Sequence, residues 1–281
     1  MQRTALYLKN TTVNIEFPNA ETEVMPGVQW GFVDNFPSPA YWAFQVLARR
    51  IEGGPIRYKL GRTLQEETAA CLLGGHGIPA QVGIAAFNHL RDSGVLGKEV
   101  PSEEDIFSLL SEPLCINGRN IKYRFARKKS NYLFLALQKL SAGVPPTHSG
   151  LALRTWLLSI PGIGYKTASW IARNWLDADD VAILDIHIHR AGMMGGFFCP
   201  NSTIATQYID LEKQFLNLSQ GLGVRPSELD AVIWFEMMSS QKTVQRTMQF
   251  HSKPEKRKAK RNSLSSSHQS NAYSNQLSIG I

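Results

Sequence analysis

Between Ser159 and Arg190 the chain reads SIPGIGYKTASWIARNWLDADDVAILDIHIHR, and no other segment restricts the fold so tightly. Trp156, Leu157, Leu158 and Ile160 lead into Pro161-Gly162-Ile163-Gly164, after which Ala168, Ile171, Ala172 and Trp175 recur at helical spacing. The pattern predicts two helices joined by a tight glycine turn. Its two glycines permit backbone angles that a β-carbon forbids, so the Gly162-Ile163-Gly164 turn can press its N–H groups against another molecule. The second helix starts there, and the positive end of its dipole adds attraction for an anion such as phosphate. An ordinary helix hairpin with glycines for packing would leave the same signature.

Lys166 follows the second glycine by two residues, and Asp185 closes the apolar run Val181-Ala182-Ile183-Leu184. A carboxylate at the end of such a run is partly desolvated and needs a partner or a purpose. It suits an N-cap for a helix starting near Ile186. His187 and His189 follow at i and i+2 of one another, but no matching cysteine or carboxylate cluster accompanies them, so a metal site is not expected.

Together these residues resemble the helix-hairpin-helix DNA glycosylase superfamily: PGIGYKTAS matches its hairpin and LDIHIHR its aspartate segment. The resemblance implies a mainly α, two-lobed helical fold. It also implies the bifunctional glycosylase/lyase branch, with Lys166 as nucleophile and Asp185 as catalytic carboxylate. The lysine would add to C1′ of a deoxyribose, expel the base and form a Schiff base that leads to strand cleavage by β-elimination. It attacks only uncharged, and burial in the apolar hairpin is the expected way of disfavouring its charged form. His187 corresponds to a histidine that binds the DNA backbone in the superfamily, whereas His189 reads as surface structure.

Three cysteines, Cys71, Cys115 and Cys199, are too few for a four-thiolate iron-sulfur cluster and too scattered for a zinc site. They point to the cluster-free branch, with each thiol a small buried apolar residue in a reducing compartment. No cofactor is expected.

Two further segments extend the resemblance. Lys122 to Lys129, KYRFARKK, sets five positive side chains beside two aromatics and is similar to the RF-containing segment of the cluster-free 8-oxoguanine glycosylase/lyases. Arg124 and Phe125 would enter the gap left by a flipped base, while Lys128 and Lys129 neutralise phosphate. A solvated basic helix start is the plainer reading. Asp230 and Trp234, at i and i+4 of ELDAVIWFE, share a helical face and resemble the group's LD…W helix, which helps to form the base pocket. A tryptophan at helical spacing is also a common core residue. The implied partner is double-stranded DNA containing a damaged base, most readily 8-oxoguanine.

With 281 residues, 43% of them apolar, the chain can bury a large core, read as one glycosylase domain over residues 1–251. One or two short strands are expected before residue 37 and helices from Pro39, over Leu64–Leu73, over 79–90 and from Pro101. The glycine-dense loop around His76 either joins two helices or approaches DNA. No apolar run is long enough to span a membrane, and the chain is expected to be monomeric and intracellular: cytoplasm or nucleoid in a prokaryote, nucleus in a eukaryote. Of the net charge of +7, the run KPEKRKAKR at 253–261 carries +5 (six basic, one acidic side chain). DNA binding must therefore rest on local patches rather than a globally basic body. Residues 252–281, basic and then rich in Ser, Asn and Gln, are expected to be a disordered tail.

Overall fold

Helix signals dominate the sequence, and the computed structural model is built accordingly; it describes residues 1–53, 59–75, 77–97, 99–240, 244 and 248. The tail expected beyond residue 251, its basic run and His76 lie outside the described residues. Residues 1–239 form one compact unit.

The expected N-terminal strands are β1 (Gln2–Leu8) and β2 (Thr11–Phe17), an antiparallel pair registered Gln2 to Phe17, followed by the short pair β3 (Glu23–Met25) and β4 (Val28–Gln29). Helices α1 (Pro39–Gly53), α2 (Leu64–Leu73), α3 (Ala80–Asp92) and α4 (Glu103–Ser111) come next. Ser102 opens α4 with a capping box closed by Asp105, so the acid foreseen in this turn satisfies backbone donors. A hairpin not foreseen follows: β5 (Pro113–Ile116) pairs with β6 (Arg119–Lys122) through Asn117-Gly118. Both turn residues have positive φ, 51° and 74°, the geometry a two-residue hairpin turn demands.

The remaining described helices are α5 (Ala126–Ala142), α6 (Gly150–Leu157), α7 (Tyr165–Leu176), α8 (Ile186–Gly195), α9 (Ile204–Leu222) and α10 (Pro226–Ser239). Helix α9, unread in the sequence, buries Leu211, Phe215, Leu218 and Leu222 along one stripe.

Two packing groups make the two lobes. In one, α2 to α7 enclose a core that includes Leu72, Phe87, Leu110, Leu133 and Leu153. In the other, α1, α8 and α9 gather around α10, with Trp42, Phe215 and Ile233 fully buried. Each such side chain contributes roughly 1.5–3 kcal/mol by leaving water. The hairpin α6–α7 belongs to the first lobe; the chain then crosses to the second through the buried, irregular segment Val181–Leu184. Asp185 stands at the crossing. Of the cysteines only Cys71 is buried; Cys115 and Cys199 are exposed free thiols, unlike the buried residues expected, because the β5–β6 hairpin and the loop after α8 run over the surface.

Candidate active site at the hairpin

The turn between α6 and α7 treats its two glycines differently. Gly162 has φ +85°, and a β-carbon there would overlap the ring of Tyr132 from α5, so this position needs glycine twice over. Gly164 has ordinary extended angles, φ −96° and ψ 179°, and open space around it. The expectation of two unusual backbone angles therefore holds for Gly162 alone. Gly164 is the N-cap of α7 and supplies no side-chain cap, which leaves the first-turn N–H groups open toward an external acceptor. Ile163 points inward, 5% exposed, and its N–H is taken by Ile160 O at 3.1 Å. Its part in the turn is to anchor it.

Lys166 lies in the first turn of α7, with its ammonium 4.0 Å from Asp185 Oδ2 and 6.0 Å from the centre of the Trp170 ring. The lysine side chain is 36% exposed, so the apolar burial expected for it is absent. Being at a helix start rather than inside the hairpin core, it faces a cleft of about 430 Å3 lined by 164–167 and by 204–210 of α9. Asp185 divides its two oxygens. Oδ1 caps α8 by accepting His187 N at 2.8 Å and Ile188 N at 3.0 Å, while Oδ2 faces the lysine. The N-cap read from the sequence thus coexists with an oxygen turned to the lysine, in one side chain that is itself buried.

His187 is half-buried, its ring edge-on to Trp234 with centroids 6.5 Å apart. His189, expected at the surface, is buried and meets Ser202 Oγ at 3.0 Å. Burial pushes its imidazole down from the ordinary value, against the opposing effect of a hydrogen bond with the Ser202 backbone. Two residues along a helix turn a side chain about 200°, so the pair cannot face one ion. Among the described residues no group of three or more His, Cys, Asp or Glu side chains converges as a metal site would.

The basic segment opens α5. Arg124 is exposed beside Phe125, whose ring borders the glycine loop at Gly77. Lys128 is exposed over the Tyr132 ring at 5.5 Å, and since that ring packs on Gly162, the patch adjoins the hairpin turn. Lys129 departs from the phosphate contact expected of it. Its ammonium turns inward and donates to Leu72 O and Gly74 O, where the last carbonyls of α2 lack helical partners. Burial, and then Lys128, push it below the ordinary lysine value. With Tyr123, whose hydroxyl donates to Leu73 O at 2.7 Å, it anchors the loop that begins at Gly74 beside Trp170. Arg127 is tied to Glu104 at 2.9 Å.

Asp230 also differs from a residue lining a base pocket. It is buried, 3.4 Å from Arg173 of α7, and accepts the N–H of Ile183. Burial pushes its carboxyl up to about 7, Arg173 and the Ile183 N–H oppose this, and Asp185 and Asp179 add to it. Spacing put Asp230 and Trp234 on one face but carried no information on what each faces across the lobes. Among the buried polar residues that went unread are Glu67, which accepts from Leu60 N, Gly61 N and Asn174 Nδ2, and Tyr208 and Glu212, which hold the segment before Asp185. A polar residue inside the apolar stripe of α9 was the available signal for the last two.

A glycine-turned hairpin, a lysine at the start of its second helix and an aspartate capping the next helix define the helix-hairpin-helix DNA glycosylase class. Comparison with known proteins agrees. The sequence model described as 8-oxoguanine DNA glycosylase matches residues 58–224, and the chain belongs to that family. The chain is 32% identical over 158 residues to the 8-oxoguanine DNA glycosylase/AP lyase of Methanocaldococcus jannaschii, covering 54% of this chain and 75% of that protein. It is 26% identical over 204 residues to the protein of the same name from Korarchaeum cryptofilum, covering 66% and 91%. In fold it is similar to the crystal structure of the Methanocaldococcus jannaschii 8-oxoguanine glycosylase/lyase in complex with a 15mer DNA containing 8-oxoguanine. That match has a TM-score of 0.54 and 22% identity, and covers 71% of this chain and 98% of the other.

Proposed function

We propose that this protein is a bifunctional DNA glycosylase/AP lyase that removes 8-oxoguanine from double-stranded DNA. The observation that carries the reading is the placement of Lys166 Nζ 4.0 Å from Asp185 Oδ2 at the open start of α7. Backbone binding needs neither residue. The uncapped N–H groups of α7, together with His187 and Lys128, grip phosphates around an extruded nucleotide, whose C1′ is out of reach inside the stack. Arg124 and Phe125 fill the space vacated in the duplex.

Asp185 Oδ2 takes a proton from the Lys166 ammonium, and the free amine attacks C1′. The glycosidic C–N bond breaks with its electron pair on the departing base, which takes up the proton held by Asp185 as it leaves and so restores the carboxylate. Positive charge developing on the sugar is stabilised by the same carboxylate. One proton then passes from the attached nitrogen to the ring oxygen O4′, whose bond to C1′ breaks to leave a protonated imine that keeps its last N–H. Removal of a C2′ proton then expels the 3′-phosphate by β-elimination.

The test uses duplexes carrying single defined lesions, with borohydride added to reduce the imine. A covalent protein–DNA adduct with 8-oxoguanine, lost in Lys166→Gln, is expected. An adduct on another lesion alone would move the substrate, and intact DNA binding with no adduct on any lesion would remove the enzyme reading.

A further inference from the structure

The segment that delivers Asp185 to the lysine is an unusual piece of backbone. Val181 to Leu184 are all buried, yet they pair with no strand. Buried N–H and C=O groups must find partners, and here side chains supply them. Ala182 N donates to Glu212 Oε1 at 2.8 Å, and Leu184 N donates to the Tyr208 hydroxyl at 3.2 Å. That hydroxyl in turn donates to Ala182 O at 2.8 Å. Both residues come from α9. The intervening Ile183 N points the other way, as alternate groups of an extended chain do, and meets Asp230 of α10.

Both carboxylates are tied back to the hairpin. Glu212 is ion-paired with Arg154 of α6, and Asp230 with Arg173 of α7 at 3.4 Å. All four side chains are at most 7% exposed. Buried ion pairs of this kind contribute little net stability compared with apolar residues of the same size. Stability therefore does not explain two of them around one short segment. What they share is geometry: each runs from one hairpin helix, through a carboxylate of the other lobe, to a backbone N–H within three residues of Asp185. Tyr165, next to Lys166, stacks on Tyr208 with ring centres 5.4 Å apart, a third link between the same two parts.

We propose that Tyr208, Glu212 and Asp230, with Arg154 and Arg173 behind the two carboxylates, are positioning residues that set the separation of Asp185 from Lys166. They act through the Ala182–Leu184 backbone and touch no substrate. The inference rests on the catalytic reading of Lys166 and Asp185. A misplacement of about 1 Å at a reacting group costs on the order of 10²-fold in rate, so a small slackening of this segment has a readable effect.

The test is single-turnover base release from an 8-oxoguanine duplex, set beside the duplex Kd and amide exchange across residues 181–188. Tyr208→Phe keeps the ring and its stack but removes the hydroxyl that holds Ala182 O and Leu184 N. The paired change Arg154→Met with Glu212→Met removes both charges together and leaves Ala182 N without its acceptor. Both are expected to slow base release by roughly 10- to 100-fold, with Kd unchanged and faster exchange over 182–184. Wild-type release from folded Tyr208→Phe overturns the proposal. Parallel loss of affinity and release in both variants also overturns it, since that marks general loosening. An inactive wild type that forms no borohydride adduct refutes the catalytic reading instead, a result distinct from slow release confined to the variants.

Discussion

The proposed mechanism gives the two oxygens of Asp185 separate jobs, and substitution can tell them apart. In Asp185→Asn the amide oxygen still accepts His187 N and Ile188 N, so the cap of α8 survives. What disappears is the negative charge at the helix start, worth a few tenths to about 1 kcal/mol. Asp185→Ala loses the cap as well, a further ~1 kcal/mol and up to ~2. In a chain of this size 1 kcal/mol is roughly 2–4 °C in Tm. The asparagine variant should thus melt within a few degrees of wild type, and the alanine variant several degrees below it. Catalysis should not follow that order. Both variants lack the charge 4.0 Å from Lys166 Nζ, and both should release base roughly 10²–10³-fold more slowly in single turnover. The assay is product formation from an 8-oxoguanine duplex under enzyme excess, well below either Tm, beside thermal melts of all three proteins. Near-wild-type release by Asp185→Asn would refute the catalytic role. Equal melting losses in the two variants would refute the division of the oxygens.

The hairpin glycines should respond unequally. Gly162→Ala forces a side chain into φ +85° and onto Tyr132 and should cost ~1–3 kcal/mol in urea melts, whereas Gly164→Ala should stay within ~0.5 kcal/mol; the reverse order would contradict the turn geometry. Asp230 should give stability a pH dependence. Its folded value lies above the ordinary 3.8, at about 7, so the native state holds the proton longer. This contribution is full below pH ~4 and falls as pH rises to ~7, by at most ~4 kcal/mol over some three units. Arg173, Asp185 and Asp179 are the charged groups around it. Urea melts from pH 4 to 8 should show wild type losing stability relative to Asp230→Asn across that window; parallel curves would rule this out.

Much of the site was legible because its signals are local. Pro161-Gly162-Ile163-Gly164 breaks a helical pattern, and a lysine two residues on must fall in the first turn of the next helix. Asp185 before Ile186 is an N-cap by rule, whatever else it does. The β5–β6 hairpin was readable too, since Asn117-Gly118 is a strong two-residue turn signal, but it was passed over for the basic run that follows. Lys129 misled for a physical reason. A lysine in a basic run is ordinarily solvated, and only the arrival of the α2 C-terminus, more than fifty residues earlier in the chain, gives its ammonium carbonyls to bond.

Sequence by itself thus determined the hairpin, the lysine and the capping aspartate, because each follows from backbone rules that act over a few residues. Only the tertiary structure decided how they meet. Tyr208, Glu212 and Asp230, from helices 20 to 50 residues downstream, fill the backbone valences of the buried segment that ends at Asp185. Such pairings follow from which lobes pack together, and no spacing along the chain records them.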